Sequence, residues 1–491
     1  MRTTIAVLHK NGGNSAPAVV KTFESLRHED SCYVLATPAA IFETDNLNKL
    51  REKNMDSPVI VGCVFSKSHA HDRPQIVRIE NATLLFDGRF YPSPRRISPA
   101  TTLAQSLQLE HESAIEKLLK EAEGDFSLVV AEPERILAGR DPIGVQPLYC
   151  GENADFAALA SNRTALWKFG IEKTSSFPPG NLGVISKGGF VFKPVKTLAP
   201  SKPKKITMEQ AALTLQSLLE RSIHVRVSNV KEVAVAFSGG LDSSVVAFLA
   251  KKCGVNVHLV HVSLRGQPET EEAKKAADEL KLPLSCYIFE NEDVEKTVPK
   301  VVELIEEPDP VKVAVGVPFY WVAEKVAESG FKVLLAGQGA DELFGGYQRY
   351  VNEYLSHGAE KVSETMFADV TRLHESNIER DEKICGFHDV ELRLPFASFQ
   401  IAEFALSLPL ELKIEKKAAG LRKLVLRKVA QNIGLPLAVV EKPKKAVQYS
   451  TGVNAVLGKI AKSHGTTIGE YVKGLFLEQK KNCQIKKTRM L

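Results

Sequence analysis

The 491-residue sequence has no apolar run long enough to span a bilayer, and its N-terminus lacks the extended apolar core of a signal peptide. A cytoplasmic protein without a membrane partner is expected. Cysteine is sparse: Cys32, Cys63, Cys150, Cys253, Cys286, Cys385 and Cys483 are scattered and never form a Cys-x-x-Cys pair. That argues against both a disulfide framework and a structural zinc site. Charge of one sign is also lacking, since a net +5 over this length gives no reason to propose nucleic acid as a partner. Internal repeats and low-complexity tracts are not evident. What remains, 44% hydrophobic and 25% charged residues, is ordinary for a globular chain, and the length implies two or three domains.

One stretch organises the rest, Val233-Ala234-Val235-Ala236-Phe237-Ser238-Gly239-Gly240-Leu241-Asp242-Ser243-Ser244. Its apolar start predicts a strand covered on both faces, and Val245, Val246, Phe248 and Leu249 give the next segment a helical apolar stripe. Gly239 and Gly240 let the backbone approach a ligand, Ser238, Ser243 and Ser244 add hydroxyls, and the helix start aims N–H groups at the turn. The combination is an anion cradle. It is not a P-loop, because no lysine follows the glycines.

A second strand, Val255 to Val262, and a helix from Glu271 to Leu280 imply βαβ units in a parallel sheet, with ligands at the carboxyl ends of its strands. Val333 to Tyr347 repeats the pattern of apolar strand and small-residue turn, and adds the adjacent acids Asp341 and Glu342. Neighbouring carboxylates in a glycine turn are costly without a cation, so a hard divalent metal is their natural partner. Lys423 and Arg427, four apart, share a helical face as a phosphate clamp needs. His258 and His261 lie on opposite strand faces, and His69 and His71 read as part of a solvated loop.

The segment before this has short strands at Thr4–Leu8, Pro58–Val61, Ala82–Phe86 and Phe126–Val130, with a helix expected from about Ser106 to Glu121. Arg140 and Asp141 are able to pair at the turn that follows. Proline and lysine from Ala199 to Lys205 mark a linker, and Thr207 with Gln210 forms a capping box opening a new domain. Lys480 to Leu491 carries basic residues and no acid, and is expected to be a disordered tail.

The Ser-Gly-Gly-Leu-Asp-Ser-Ser string resembles the pyrophosphate loop of ATP pyrophosphatases. Gly337-Gln338-Gly339-Ala340-Asp341-Glu342 through Tyr347 resembles an asparagine synthetase signature, as do Glu391-x-Arg393-x-Pro395-Phe396, Lys423-x-x-Leu426-Arg427 and Lys442-Pro443-Lys444. Arg140-Asp141-x-x-Gly144-x-x-Pro147-Leu148-Tyr149 resembles class II glutamine amidotransferase domains. Nearly the whole chain is thus similar to the asparagine synthetase family. The resemblance implies an α/β protein: an N-terminal Ntn-hydrolase-like αββα sandwich over 1–198, and over 206–479 a parallel-sheet ATP-pyrophosphatase domain of the adenine nucleotide alpha-hydrolase-like kind.

It further implies MgATP as cofactor, with Ser238, Gly239, Gly240, Leu241, Asp242, Ser243, Ser244 and Gly337 around the nucleotide and the backbone near Val262 on adenine. Asp242 and Asp341 would hold Mg²⁺, while Lys423 and Lys444 neutralise departing pyrophosphate. The implied reaction adenylates a carboxylate, aspartate first among candidates, before ammonia displaces AMP. Three departures qualify it. The family's nucleophilic cysteine at residue 2 is replaced by Arg2 and its Asn-Gly oxyanion pair by Asp87-Gly88, so free ammonia or an ammonia-donating protein is expected in place of glutamine. Gln338 stands where the signature has a glutamate, and Ala314, five residues after Asp309, where the family has an arginine suited to a substrate carboxylate. A β-lactam-synthetase-like ligase for another acid, a nucleotide-binding scaffold without catalysis, and a homodimer all stay open.

Overall fold

The computed structural model describes residues 2–26, 30–53, 55–66, 74–92, 98–107, 110–418, 420–443 and 445–488, so that His69, His71 and Lys444 lie outside the described residues. The chain divides into two compact units, Met1–Thr197 with Leu477–Leu491, and Leu198–Phe476. No helix among the described residues is long and apolar enough to cross a membrane.

The first unit is a four-layer αββα sandwich. Its strands are β1 (Arg2–His9), β2 (Ser31–Ala36), β3 (Ile41–Thr44), β4 (Val59–Ser66), β5 (Gln75–Ile79), β6 (Ala82–Phe90), β7 (Gly124–Ala131), β8 (Ile136–Arg140), β9 (Tyr149–Glu152), β10 (Phe156–Ala160), β11 (Thr174–Ser176), β12 (Asn181–Ser186) and β13 (Gly189–Pro194). They form sheets of order β11-β9-β10-β1-β4-β2-β3 and β13-β12-β8-β7-β6-β5. Strand alternation puts Ala6 and Leu8 of β1 into the layer between the sheets, against Leu85, Val129 and Ala138, while Ile5 and Val7 face outward onto Val19, Val20 and Phe23 of the Ala16–Leu26 helix. On the far side Leu84, Phe86 and Leu128 pack on Ala100, Leu103, Ile115 and Leu119 of two further helices. Strands buried on both faces read as continuous apolar runs for this reason.

Two sequence expectations change here, the helix from Ser106 and the tail. The helix expected from Ser106 is two, Pro99–Ser106 and His111–Glu121; Ser98 caps the first and Pro99 opens it, a start signal that precedes the apolar stripe. Arg140 and Asp141, whose charges act on each other, also hold the loop that follows β8. Arg140 donates to the carbonyls of Gly144, Gln146 and Phe177, and Asp141 accepts from the N–H groups of Ile143, Gly144, Val145 and Gln146. The tail is helical as far as Thr488, as part of the Ile468–Thr488 helix. Residues 475–488 contain neither glycine nor proline to stop it, and Lys480 stacks 5.1 Å above the Trp167 ring.

The second unit is built on five parallel strands, β14 (Glu232–Ala236), β15 (Asn256–Leu264), β16 (Leu284–Phe289), β17 (Val333–Leu335) and β18 (Glu391–Arg393), in the order β16-β15-β14-β17-β18. The chain winds outward from β14 through β15 to β16, then returns to add β17 and β18 on the other side. That reversal makes a topological switch point between β14 and β17, and the crevice beyond their carboxyl ends is where such sheets bind ligands. Thr207 and Gln210 form the capping box that starts the Met208–Val227 helix.

Candidate active site

Both glycine turns leave the sheet at the switch point. Val235 of β14 is in register with Leu335 of β17, so Phe237–Gly240 and Ala336–Gly339 emerge side by side. They touch: a Cβ at Gly337 would come within 2.9 Å of the Asp242 Cβ. In the first turn Gly239 has φ +64°, and a Cβ there would lie 2.8 Å from the Ala273 backbone, so conformation and space both demand glycine. Gly240 caps the Leu241–Lys252 helix, whose first turn carries Asp242. Ser238 is exposed, and its Oγ accepts from the Gly240 N–H at 3.3 Å and lies 3.3 Å from the Ser243 Oγ. Leu241 and Ser244 are buried, the latter completely. Ser244 therefore belongs to the packed face of the helix and not to the cradle, a correction that helical periodicity explains: its two predecessors, not Ser244, face the turn.

The decisive contact joins the turns to a third segment. The Lys423 ammonium, on a side chain only 2% exposed, sits 2.5 Å from Asp242 Oδ2 and 2.7 Å from Asp341 Oδ1. Lys423 caps the Leu424–Ile433 helix in a left-handed conformation, φ +59°, which a lysine adopts only at some cost. Glycine is again required at Gly346, where a Cβ would overlap both the Asp341 carboxylate and the Lys423 side chain.

The adjacent acids do not act together, contrary to the sequence expectation. Glu342 is 3% exposed and turns away from Asp341 to accept from the Tyr347 hydroxyl and from Asn377 Nδ2, at 2.7 Å in the latter case. Burial, then the Asp341 charge, pushes its carboxyl above the usual range. The carboxylates brought together are Asp242 and Asp341, the two that the resemblance named for Mg²⁺. Nor does Arg427 join Lys423 in a phosphate clamp: it donates to the carbonyls of Arg422, Val440 and Lys442, bracing the 440–442 segment. That brace serves a residue to which sequence reasoning assigned no role. Lys442 Nζ lies 3.2 Å from the Gly239 carbonyl and 2.9 Å from Glu272, so a basic group reaches the first turn two residues before Lys444.

Val262 is buried in β15, which outruns β14 at this end. Phe237 N–H donates to the Val260 carbonyl at 2.9 Å and Leu264 N–H donates to Thr451 at 3.1 Å. Strand alternation turns the Val262 amide and carbonyl to the same side, into the gap between those contacts.

A family model for asparagine synthase matches residues 214–359 and 351–473, and one for a glutamine amidotransferase domain matches residues 100–168. A Methanocaldococcus jannaschii protein named asparagine synthetase 1, of glutamine-hydrolysing type, is 32% identical over 71% of this chain and 73% of its own length. The chain belongs to the asparagine synthase family. Glutamine-hydrolysing asparagine synthetases of Asparagus officinalis and Arabidopsis thaliana are 28% and 26% identical over 67% and 69% of this chain, and the matches span 58% and 60% of those proteins.

Against that family, the first unit of this synthase relative has an ion pair where its counterparts' nucleophile and oxyanion donor are expected. Arg2 Nη2 lies 3.0 Å from Asp87 Oδ1, joining β1 of one sheet to β6 of the other. Asp87 is 1% exposed. A buried carboxylate is tolerable only with such a partner. The two sequence departures are therefore one: each residue supplies the charge that the other needs. In the second unit, Asp309 Oδ1 caps the Pro310–Glu328 helix by accepting from Val311 and Lys312 N–H at 2.8 and 2.9 Å, and Ala314 is buried in that helix. Gln338 donates its amide N–H to Asp381, on the Glu379–Phe387 helix.

Proposed function

We propose that the second unit is the synthetase half of an ATP-dependent amide ligase, which adenylates a carboxylate with MgATP, releases pyrophosphate and passes the acyl group to ammonia. Aspartate, giving asparagine, is the first substrate to test. The observation that carries the reading is the buried Lys423 ammonium shared by Asp242 and Asp341 at the meeting of two glycine turns. Such a place is built for charge that changes: a polyphosphate brings cations with it, and the lysine can then leave the carboxylates for the phosphates.

The donor set suits Mg²⁺, which one or two carboxylates commonly hold with phosphate oxygens completing the shell. The ammonium between the two carboxylates already stands in for a cation, and among the described residues no cluster of three or more His, Cys, Asp or Glu offers a complete metal site without the nucleotide. Asp242 and Asp341 would hold the ion, whose chemistry is to neutralise phosphate charge. The chain's own groups do the rest. The N–H groups of the Gly239–Gly240 turn cradle phosphate, the Val262 backbone edge receives the adenine, and Lys423 and Lys442 face the departing pyrophosphate, joined in the proposal by Lys444.

The nitrogen source in this reading is ammonia, free or delivered by another protein, because residue 2 carries no thiol and Asp87 sets a carboxylate, spent on Arg2, where an oxyanion donor is expected. A second reading, a ligase for another carboxylate, is favoured by Asp309 being spent on a helix cap and by the apolar Ala314. Pyrophosphate release across a panel of carboxylates, with ammonium or glutamine, tests both. Release with aspartate and ammonium supports the first, release with a different acid the second, and no release with any acid rejects adenylation altogether.

A further inference from the structure

Gln338, in the second glycine turn of the site, reaches a hidden ion pair. Asp381 is fully buried and is held from one side by Arg380, itself 3% exposed, through Nε at 2.7 Å and Nη2 at 3.0 Å. From the other side it accepts the Gln338 amide N–H. The pair is itself anchored: Arg380 Nη1 donates to Asn377 Oδ1 at 3.3 Å, and Asn377 donates to the buried Glu342. Asn377 lies in a π-helical turn, His374–Ile378, a rare conformation that occurs often at functional sites.

This arrangement removes the usual ambiguity of a side-chain amide. Burial pushes the Asp381 carboxyl up and Arg380 holds it down by donating to both of its oxygens; beside that pair Asp381 is the acceptor, so Gln338 presents its NH₂ to it and its Oε1, on the other arm of the same planar group, points away from Asp381. Gln338 follows Gly337, which abuts Asp242, and precedes Asp341 by three residues in the same turn. A glutamate at 338 would set two carboxylates against each other, which explains why this chain carries the amide.

We propose that Asp381 is a positioning residue that fixes Gln338 with its carbonyl oxygen toward the synthetase site, as the acceptor for an N–H group of a nitrogen-bearing reactant. The inference rests on the amide-ligase reading above. An amide oxygen accepts a hydrogen bond but takes no proton at neutral pH, so the role is placement and not base catalysis. Two reactants carry the required N–H groups, the attacking ammonia and the α-ammonium of an amino-acid substrate.

The test measures pyrophosphate released and amide formed in the same full-length protein. Gln338→Met keeps the Arg380–Asp381 pair, so the fold should survive, and the ratio of amide to pyrophosphate should fall about tenfold or more. Gln338→Glu should lose as much. Gln338→Glu with Asp381→Asn reverses donor and acceptor while keeping an outward oxygen, and should recover the ratio to within about threefold of the native value. A raised KM for ammonium alone assigns the contact to ammonia; a raised KM for the carboxylate alone assigns it to the α-ammonium. An unchanged ratio in Gln338→Met, unmoved KM values, or a double variant no better than Gln338→Glu overturns the inference while leaving the amide-ligase reading intact. Absence of pyrophosphate release from the native protein removes both.

Discussion

Each unit of this protein places a basic side chain on a buried or half-buried carboxylate at its candidate site, yet the two arrangements differ in kind. In the first, one guanidinium meets one carboxylate across two sheets, Arg2 on Asp87, and the contact ties regular strands together. In the second, one ammonium serves two carboxylates, and all three groups hang from glycine turns or a strained helix cap. A guanidinium–carboxylate pair set on regular strands stabilises a fold and asks for no ligand. One cation shared by two acids beside glycine turns is poised for exchange with a more highly charged partner. The difference is the one the proposed function needs: a charge pair set in the scaffold of the first unit, and a shared cation at the candidate site of the second.

Removing the shared cation should have the largest effect. Lys423→Met is expected to lower MgATP-dependent pyrophosphate release by about 10²–10³-fold, the range for loss of one charge-stabilising group. If release is unchanged, the contrast between the two centres collapses. Gly346→Ala asks whether the geometry of that exchange matters: the added methyl overlaps Asp341 and Lys423, and a loss of about 10²-fold with an unchanged far-ultraviolet spectrum is expected.

The first unit should answer differently. Arg2→Met leaves Asp87 buried against a neutral side chain and should cost about 2 kcal/mol in urea unfolding, less than a fully buried pair because the Arg2 side chain is 20% exposed. Adding Asp87→Asn should return most of that loss, and Arg2→Cys should yield no glutaminase activity because Asp87 remains. Glutamate production by the cysteine variant would show that the site was only one residue from function.

Lys413 sharpens the comparison through its pH dependence. It lies at the end of a short 3-10 turn, Leu410–Leu412, 4% exposed, and burial pushes its ammonium down to about 7. Below about pH 7 the lysine is charged in both folded and unfolded chains, and the folded state bears the full burial cost. As pH rises from there toward the unfolded value of about 10.4, the folded form sheds its proton first and stability increases. Thermal or urea unfolding should show the protein gaining at most about 1.4 kcal/mol per pH unit in this window, and Lys413→Met should flatten the slope. A native profile flat across that window would show that burial alone does not govern a lone ammonium here.

Much of the site was legible because its parts are local. A strand ending in Ser238-Gly239-Gly240, and another ending in Gly337 to Asp341, declare their turns by composition, and the turns sit where those strands end. The errors came where neighbours in sequence were taken as neighbours in space. Asp341 and Glu342 face opposite ways, Lys423 and Arg427 serve different partners, and Ser244 points into the core although it shares a string with Ser243. Asp381 carried no signal at all, for an Arg-Asp pair in a helix looks like any charged surface until Gln338 is found beside it.

By itself the sequence determined the two-part α/β character, the strand-turn-helix cradle and the arginine at residue 2, because each depends on residue type over a short span. Only the tertiary structure decided which charges meet. Arg2 reaches Asp87, Lys423 reaches two aspartates and Asp381 reaches Gln338 across separations of 43 to 181 residues where the contact is a hydrogen bond, and no local pattern encodes such pairings. Electrostatic partnership falls off within a few ångströms, so it is fixed by where the fold brings side chains and not by their order along the chain.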